Sequence, residues 1–408
     1  MRQTTRALVA IMLIVGAGGG LAAQTQSPQA SIEALVQIAL VSSPVMTEAR
    51  AGVDVARADR LQAGLRPNPT AVIDRRQQSD GRETQTSIGL ALPLDLFRTA
   101  PRAAVADHDV RVAEARVEAT AVERAFLVRQ QAARLLAARR LVTVLRSQAD
   151  AMRSRVDLLT ARVEVGAGRP LDRDMAIVEW RRAEAEHRRQ EGGAEAALAE
   201  LKALVGVPAD ADVALTLSLE DEVALTPSAP LAAESVRPDV RILDESVRRA
   251  EAERVSAVAE GRWNLQLSAT YMNRAMEGVR VHEGMVGVMV DLPWRNRQQG
   301  AVAAASARGR AARAALENAR MTAATDVMAA RARLSAAEAV LSRYGDEWIT
   351  TAAANLAVMR EAWSLGDVTL LDVIEEERRF WMTQVEYTDA LREVVEGRAM
   401  VRVALGVR

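Results

Sequence analysis

Apolar positions recur in two distinct rhythms along this chain. From Arg102 to Val165 there is neither glycine nor proline. Within that stretch Leu135, Ala138, Val142, Leu145, Ala149, Met152, Val156, Leu159 and Val163 follow steps of three and four. A mean step of about 3.5 is the seam of a coiled coil. At about 1.5 Å per residue the stretch predicts a rod near 95 Å long. Elsewhere the rhythm is two. Trp263, Leu265, Leu267, Ala269 and Tyr271 alternate with Asn264, Gln266, Ser268 and Thr270. Ile88, Leu90 and Leu92 alternate in the same way, as do Val288, Val290 and Leu292. Alternation of this kind predicts strands with one apolar and one polar face. A fourth strand, weaker in pattern, is expected around residues 70–74.

The two rhythms occur twice, in the same order. Pro93 and Pro293, Gly166 and Gly366, Asp172 and Asp372, and Gly206 and Gly406 are each 200 residues apart. The seam repeats with the same offset, at Ile349, Ala352, Leu356, Met359 and Trp363. Pro44 and Pro238 form an earlier pair, offset by 194. Internal repetition on this scale makes two copies of one unit. The first spans 24–230: a helix, strands at about 69–77 and 84–93, a long helix 98–165, a return helix 171–206 and a linker 207–230. The second spans 231–408: a helix 231–261, strands at about 263–273 and 284–293, a long helix 296–365 and a return helix 370–406. Gly309 and Gly345 are expected to interrupt the second rod, at about 1 kcal/mol each relative to alanine.

Residues 1–23 carry two early arginines, an apolar run from Ala7 to Val15 and small residues up to Ala23. This reads as a secretory signal peptide, and the run is too short to span about 30 Å of hydrocarbon. The chain has no cysteine. That excludes disulfides, thiol chemistry and an N-terminal lipid anchor through cysteine. A net charge of −1 does not suggest nucleic acid as a partner. His108, His187 and His282 lack the spacing of a metal or catalytic set, so no enzyme, cofactor or metal site is expected. Later segments lack 18 consecutive apolar residues, so a mature chain crossing a membrane would do so with strands. Four strands cannot close a membrane barrel, which takes at least eight. Several copies would have to share one.

Taken together, the segments "RPDVRILDESVRRAEAERVSAVAEGRWNLQLSATY", "VGVMVDLPWRNRQQGAVAAASARGRAA", "RVEVGAGRPLDRDMAIVEWRRAEAE" and "AWSLGDVTLLDVIEEERRFWMTQVEYTDALREVVEGRAMVRVALG" resemble the TolC family of outer-membrane efflux channels. The resemblance covers nearly the whole mature chain. It implies a mainly α fold with a small β part, in a two-repeat TolC-like arrangement. Three chains would form a homotrimer, with twelve strands in one outer-membrane β-barrel and the coiled-coil helices in a periplasmic α-barrel. Its implied partners are outer-membrane lipid, a periplasmic adaptor and an inner-membrane pump, which together form a tripartite efflux system.

The same resemblance implies the site residues. Gly166 and Gly366 would turn the chain at the periplasmic tip and meet the adaptor. Asp372 and Glu375 would ring the narrow periplasmic entrance. At i and i+3 they share a helical face, and six carboxylates in one aperture would attract cations and raise one another's pKa values. Favourable interaction with the helix dipole accounts for acidic residues in a first turn equally simply. Asp172 and Trp363 match two members of a tip-closing network. Val368 stands where the family has an arginine, and Arg169 is a substitute. The remaining acidic residues of the segment read as a solvated face. A soluble periplasmic coiled-coil scaffold or adaptor is the alternative, sharing the rods and export signal but needing no barrel.

Overall fold

The computed structural model describes residues 31–408 apart from 78, 80–82, 212, 214, 226–236 and 277–278. The expected signal peptide, 1–23, lies outside the described residues. The first repeat comprises α1 (Ile32–Ser42), α2 (Pro44–Ala63), β1 (Thr70–Gln77), β2 (Glu83–Pro93), α3 (Thr99–Glu164), α4 (Pro170–Val205) and a short α5 (Leu219–Leu225) in the linker. The second comprises α6 (Pro238–Glu260), β3 (Asn264–Met276), β4 (Val279–Asp291), α7 (Gln299–Arg343), α8 (Asp346–Leu365) and α9 (Leu370–Ala404). The chain thus has the expected two-repeat, mainly helical fold with four strands.

The 66-residue helix α3 is the axis on which the rest is assembled. Helix α2 runs antiparallel to its first half, through Arg57–Glu114 and Arg60–Asp107. Helix α4 runs antiparallel to its second half, with Ala183 packed on Ala149 and Met152. The two meet end to end. Gly206 closes α4 at φ 80°, and a Cβ there would lie 2.9 Å from Ser43 Cα at the start of α2. The second repeat builds the same joint. Gly406 closes α9 at φ 72°, and its Cβ would lie 3.0 Å from Pro238 Cδ at the start of α6. Each proline suits a first helical position because its missing N–H has no helical partner there. Each repeat therefore makes one composite rod from two helices that are remote in sequence.

The main core lies where α1, the end of α4, α5 and α9 converge on the middle of α3. Leu35 and Val36 pack there with Ala125, Val128, Leu135, Leu201, Leu219 and Leu391. Glu33 accepts hydrogen bonds from Arg129 at 2.9 and 2.8 Å and pairs with Arg402, tying the N-terminal helix to both repeats.

The strands form one antiparallel sheet in the order β1-β2-β3-β4, so the β2–β3 pair joins the repeats. Directly paired residues share a face. One face carries Ile73, Ile88, Leu90, Leu92, Leu265, Leu267, Tyr271, Val286, Val288 and Val290. The other carries Asp74, Arg76, Gln85, Ser87, Gln266, Ser268, Thr270, Arg274 and Glu283. The apolar face is uncovered by the chain itself: Val286 is 85% exposed and Ile73 73%. Phe97 meets Trp263 edge-on at 4.9 Å at the helix end of the sheet, and Trp294 is exposed there.

Three features differ from expectation. The rod expected over 296–365 is two helices, broken at Tyr344 and Gly345. Gly345 adopts φ −45°, ψ 169°, which is extended, and Tyr344 stacks on Trp348 across the break at 4.7 Å. Gly309, by contrast, stays inside α7 with no break. The helix expected at the start of the first repeat is two helices bent by 43° at Ser43. Ser43 precedes Pro44, and a residue before proline is driven out of the helical region.

Candidate functional site: the paired tip turns

The far end of α3 turns into α4, and α8 turns into α9, by the same local device. Gly166 has φ 74° and Gly366 φ 88°. Ala167 N donates to Arg162 O at 2.8 Å and Gly166 N to Val163 O at 3.0 Å; Asp367 N donates to Ala362 O at 3.0 Å and Gly366 N to Trp363 O at 3.1 Å. These paired bonds satisfy the last helical carbonyls, and the left-handed residue they need is one that glycine supplies without strain. Around both glycines the space is open, since a Cβ would meet nothing within 4 Å. Val165, Leu171, Leu365 and Leu371 stand exposed beside them.

The two turns are neighbours. Leu159, Ala176, Leu370 and Ile374 form a buried apolar pad between the hairpins, with Val156 and Trp363 against it. The guanidinium of Arg162 lies 5.1 Å from the centre of the Trp363 ring. Trp363 therefore does join the two hairpins, but to a cation of α3. Asp172 is half-buried, with no hydrogen bond or ion pair from its carboxylate among the described residues, and Arg169 is exposed and likewise unpaired. Val368 supplies no charge.

Asp372 serves α9 as a cap. Its carboxylate accepts from Thr369 N at 2.8 Å and Thr369 Oγ1 at 2.6 Å, while Asp372 N donates back to Thr369 Oγ1 at 3.3 Å. This is a reciprocal capping box. The Thr369 hydroxyl, and then its backbone N–H, hold the Asp372 carboxyl below the usual range. Glu375, one turn on, is exposed.

Arg155 and the more exposed Arg360, neither singled out from the sequence, meet Glu377, an acidic residue expected on a solvated face. Glu377 is 0% exposed, not part of a solvated face. Arg155 of α3 grips it with both terminal nitrogens, and Arg360 of α8 donates to Glu377 Oε1 at 3.0 and 2.7 Å. A signal for it exists. Leu370, Ile374, Glu377, Trp381, Gln384, Thr388 and Leu391 are spaced alternately by four and three. A carboxylate in that seam faces the partner helix and must be paired there.

Residues 35–207 match the family model of outer membrane efflux proteins. That segment, 173 residues of 408, is therefore similar to outer membrane efflux proteins. No curated protein sequence matches it. Solved structures similar to it include the outer-membrane channel OprN, at 19% identity and TM-score 0.79 over 92% of this chain and 90% of that one. The outer membrane protein VceC of Vibrio cholerae matches at 19% identity and TM-score 0.76, over 92% and 96%. The open-state MtrE outer membrane channel of Neisseria gonorrhoeae matches at 19% and 0.74, over 92% and 89%. Similarity to outer membrane efflux proteins fits the uncovered apolar sheet face. It also gives a setting to the second repeat, which the family model does not reach but which builds the same joints and turns as the first.

Proposed function

We propose that this chain is one of three identical protomers of an efflux exit duct that crosses the outer membrane and extends through the periplasm. The observation that carries this reading is the sheet: among the described residues it has four strands, two unpaired edges, and an apolar face with nothing of its own chain over it. In lipid an open edge strands backbone groups without partners. Closure by sister sheets removes both edges and turns the polar face toward water. Twelve strands and the rods continuing from them make a single conduit.

The tip would be the periplasmic entrance, with an inner-membrane pump and a periplasmic adaptor delivering substrate to it. Gly166, Gly366 and the exposed apolar residues beside them are the adaptor contact in this reading. Threefold symmetry would place Asp372 and Glu375 around the aperture. Asp172 would face a neighbouring protomer, since its carboxylate has no partner among the described residues of its own.

Light scattering of the purified protein in detergent tests the assembly, with a trimer expected. A monodisperse monomer in buffer without detergent sinks the duct and returns the chain to a periplasmic scaffold. Asp372→Asn with Glu375→Gln is expected to weaken block of the single-channel current by divalent cations; unchanged block leaves Asp372 as a helix cap alone.

A further inference from the structure

Within one chain, the strongest polar tie between the tip hairpins lies away from Asp172, Val368 and Arg169. Among the described residues of one chain, the side chains of Asp172 and Arg169 make no polar contact, and Val368 carries no charge. The strongest polar connection between the hairpins is instead Arg155–Glu377–Arg360, joining α3, α9 and α8. Further from the tip, the next polar contacts of α9 with α3 are those of Arg140 with Gln384 Oε1 at 3.5 Å and Thr388 Oγ1 at 3.0 Å, about two to three turns along α9. Toward the tip, the apolar pad and the Arg162–Trp363 contact complete the attachment.

We propose that Glu377 is the fastening of the α8–α9 hairpin against α3 and thereby the positioning residue of the entrance, acting within one protomer. This rests on the duct reading above. One carboxylate serves two helices at once: Arg155 secures it to α3 and Arg360 braces it from α8, so both arms of the hairpin are held through a single buried group. Arg155 is itself buried, and its guanidinium also lies 3.8 Å from Met152 Sδ. Removing the carboxylate leaves Arg155 buried and unpaired, which strongly favours any arrangement that lets it reach water. Swinging the hairpin away from α3 is such an arrangement, and in a ring of three it widens the aperture. Because the pair is buried, salt screens it little, whereas an exposed tip link would weaken once the Debye length falls to about 3 Å at 1 M.

The test is single-channel conductance of the purified trimer in planar bilayers, at low salt and at about 1 M potassium chloride. Wild type and Asp172→Ala are expected to share one low conductance that keeps its proportion to bulk conductivity across that range. Glu377→Ala and Arg155→Ala are each expected to raise it several-fold, with trimer size and strand content unchanged. Unaltered conductance in Glu377→Ala, or a rise in Asp172→Ala as large as that in Glu377→Ala, overturns the proposal. Should Glu377→Ala fail to assemble, Glu377→Gln decides, because it keeps the side-chain volume and removes the charge: a raised conductance supports the fastening and an unaltered one overturns it. A wild-type trimer that forms no channel at all refutes the duct reading itself, a different result from a channel indifferent to Glu377.

Discussion

The long helices of the two repeats began from one pattern and have different surroundings. Helix α3 is unbroken and is flanked by α2, α4, α6 and α9. Buried positions run along it from Ala106 to Leu159, with a run at Gln131–Ala133 and Leu135–Ala137 that leaves hardly any side free. Helix α7 buries Ala305, Gly309, Leu316, Ala330 and Ala337 only, all on the side toward α6 and α9, and leaves Met321 and Met328 exposed. Beyond Gly345, α8 continues at the margin with Val358 exposed. The first rod is the core of the chain and the second is its edge. A seam pattern reports that a helix face will be covered, and it does not report by which chain. The sheet shows the same division at larger scale, since its apolar face is complete in pattern and bare in the single chain.

The sharpest way to break that comparison is to put a charge on each side of the sheet in turn. Val286 and Met285 are adjacent on β4 and point to opposite faces. An arginine on a lipid-facing strand position near the bilayer midplane costs about 2–4 kcal/mol, and one on the water-facing side costs little. Val286→Arg is therefore expected to abolish or strongly reduce membrane insertion, multiplied over the copies in the assembly. Met285→Arg is expected to insert normally. Heat-modifiability and outer-membrane fractionation measure this. Equal behaviour of the two variants would mean that the bare face is covered by protein and not lipid.

The four left-handed glycines allow a smaller, internal comparison. Alanine in that conformation is strained by roughly 1–2 kcal/mol wherever it occurs. At Gly166 and Gly366 the surrounding space is empty, so strain is the whole effect. At Gly206 and Gly406 the new methyl would also press on backbone, Ser43 Cα at 2.9 Å and Arg237 Cα at 3.0 Å. Gly206→Ala and Gly406→Ala are thus expected to lower the thermal midpoint of the helical part more than Gly166→Ala and Gly366→Ala. If all four fall by the same amount, the end-to-end joints are looser than they look.

Those glycines were legible in the chain because each satisfies a local need, a helix end, that is written in neighbouring residues. Strand faces were legible for the same reason, since a period of two survives whatever covers the sheet. The break at Gly345 and the continuity at Gly309 were not separable by residue type. Both are glycines in helical surroundings, and the difference lies in the Tyr344–Trp348 stack across the break. The role of Glu377 was hidden by distance, since Arg155 is 222 residues away. Its place in the α9 seam was readable, but it was read with the exposed acidic residues around it. The bend at Ser43 was readable too, because Pro44 announces it.

The finest difference between the repeats lies in the first residues of their return helices. Arg169 and Thr369 are equivalent positions, as are Asp172 and Asp372. Thr369 and Asp372 close a capping box, whereas Arg169, with φ −87° and ψ 130°, caps α4 with backbone geometry alone. The geometry at Arg169 already suits a capping residue, and Asp172 stands three positions on with its carboxylate unpaired. Exchanging the two therefore isolates the cap. Thr369→Arg should lose about 1 kcal/mol of helix stability, and Arg169→Thr should gain a comparable amount by letting Asp172 bond back to residue 169. Of the two wild-type caps, the Thr369–Asp372 cap is the acid-sensitive one. The Asp372 carboxyl has its pKa depressed by Thr369, so its contribution is present above the unfolded-state pKa and lost as pH falls through the lowered one. Wild type should lose that increment under acid, Thr369→Arg should have none to lose, and Arg169→Thr should lose two. Thermal midpoints compared at neutral pH and at about pH 3 read the difference. If Arg169→Thr brings no gain at neutral pH, the Asp172 carboxylate is already engaged by a neighbouring protomer, and the first tip turn belongs to the interface between copies.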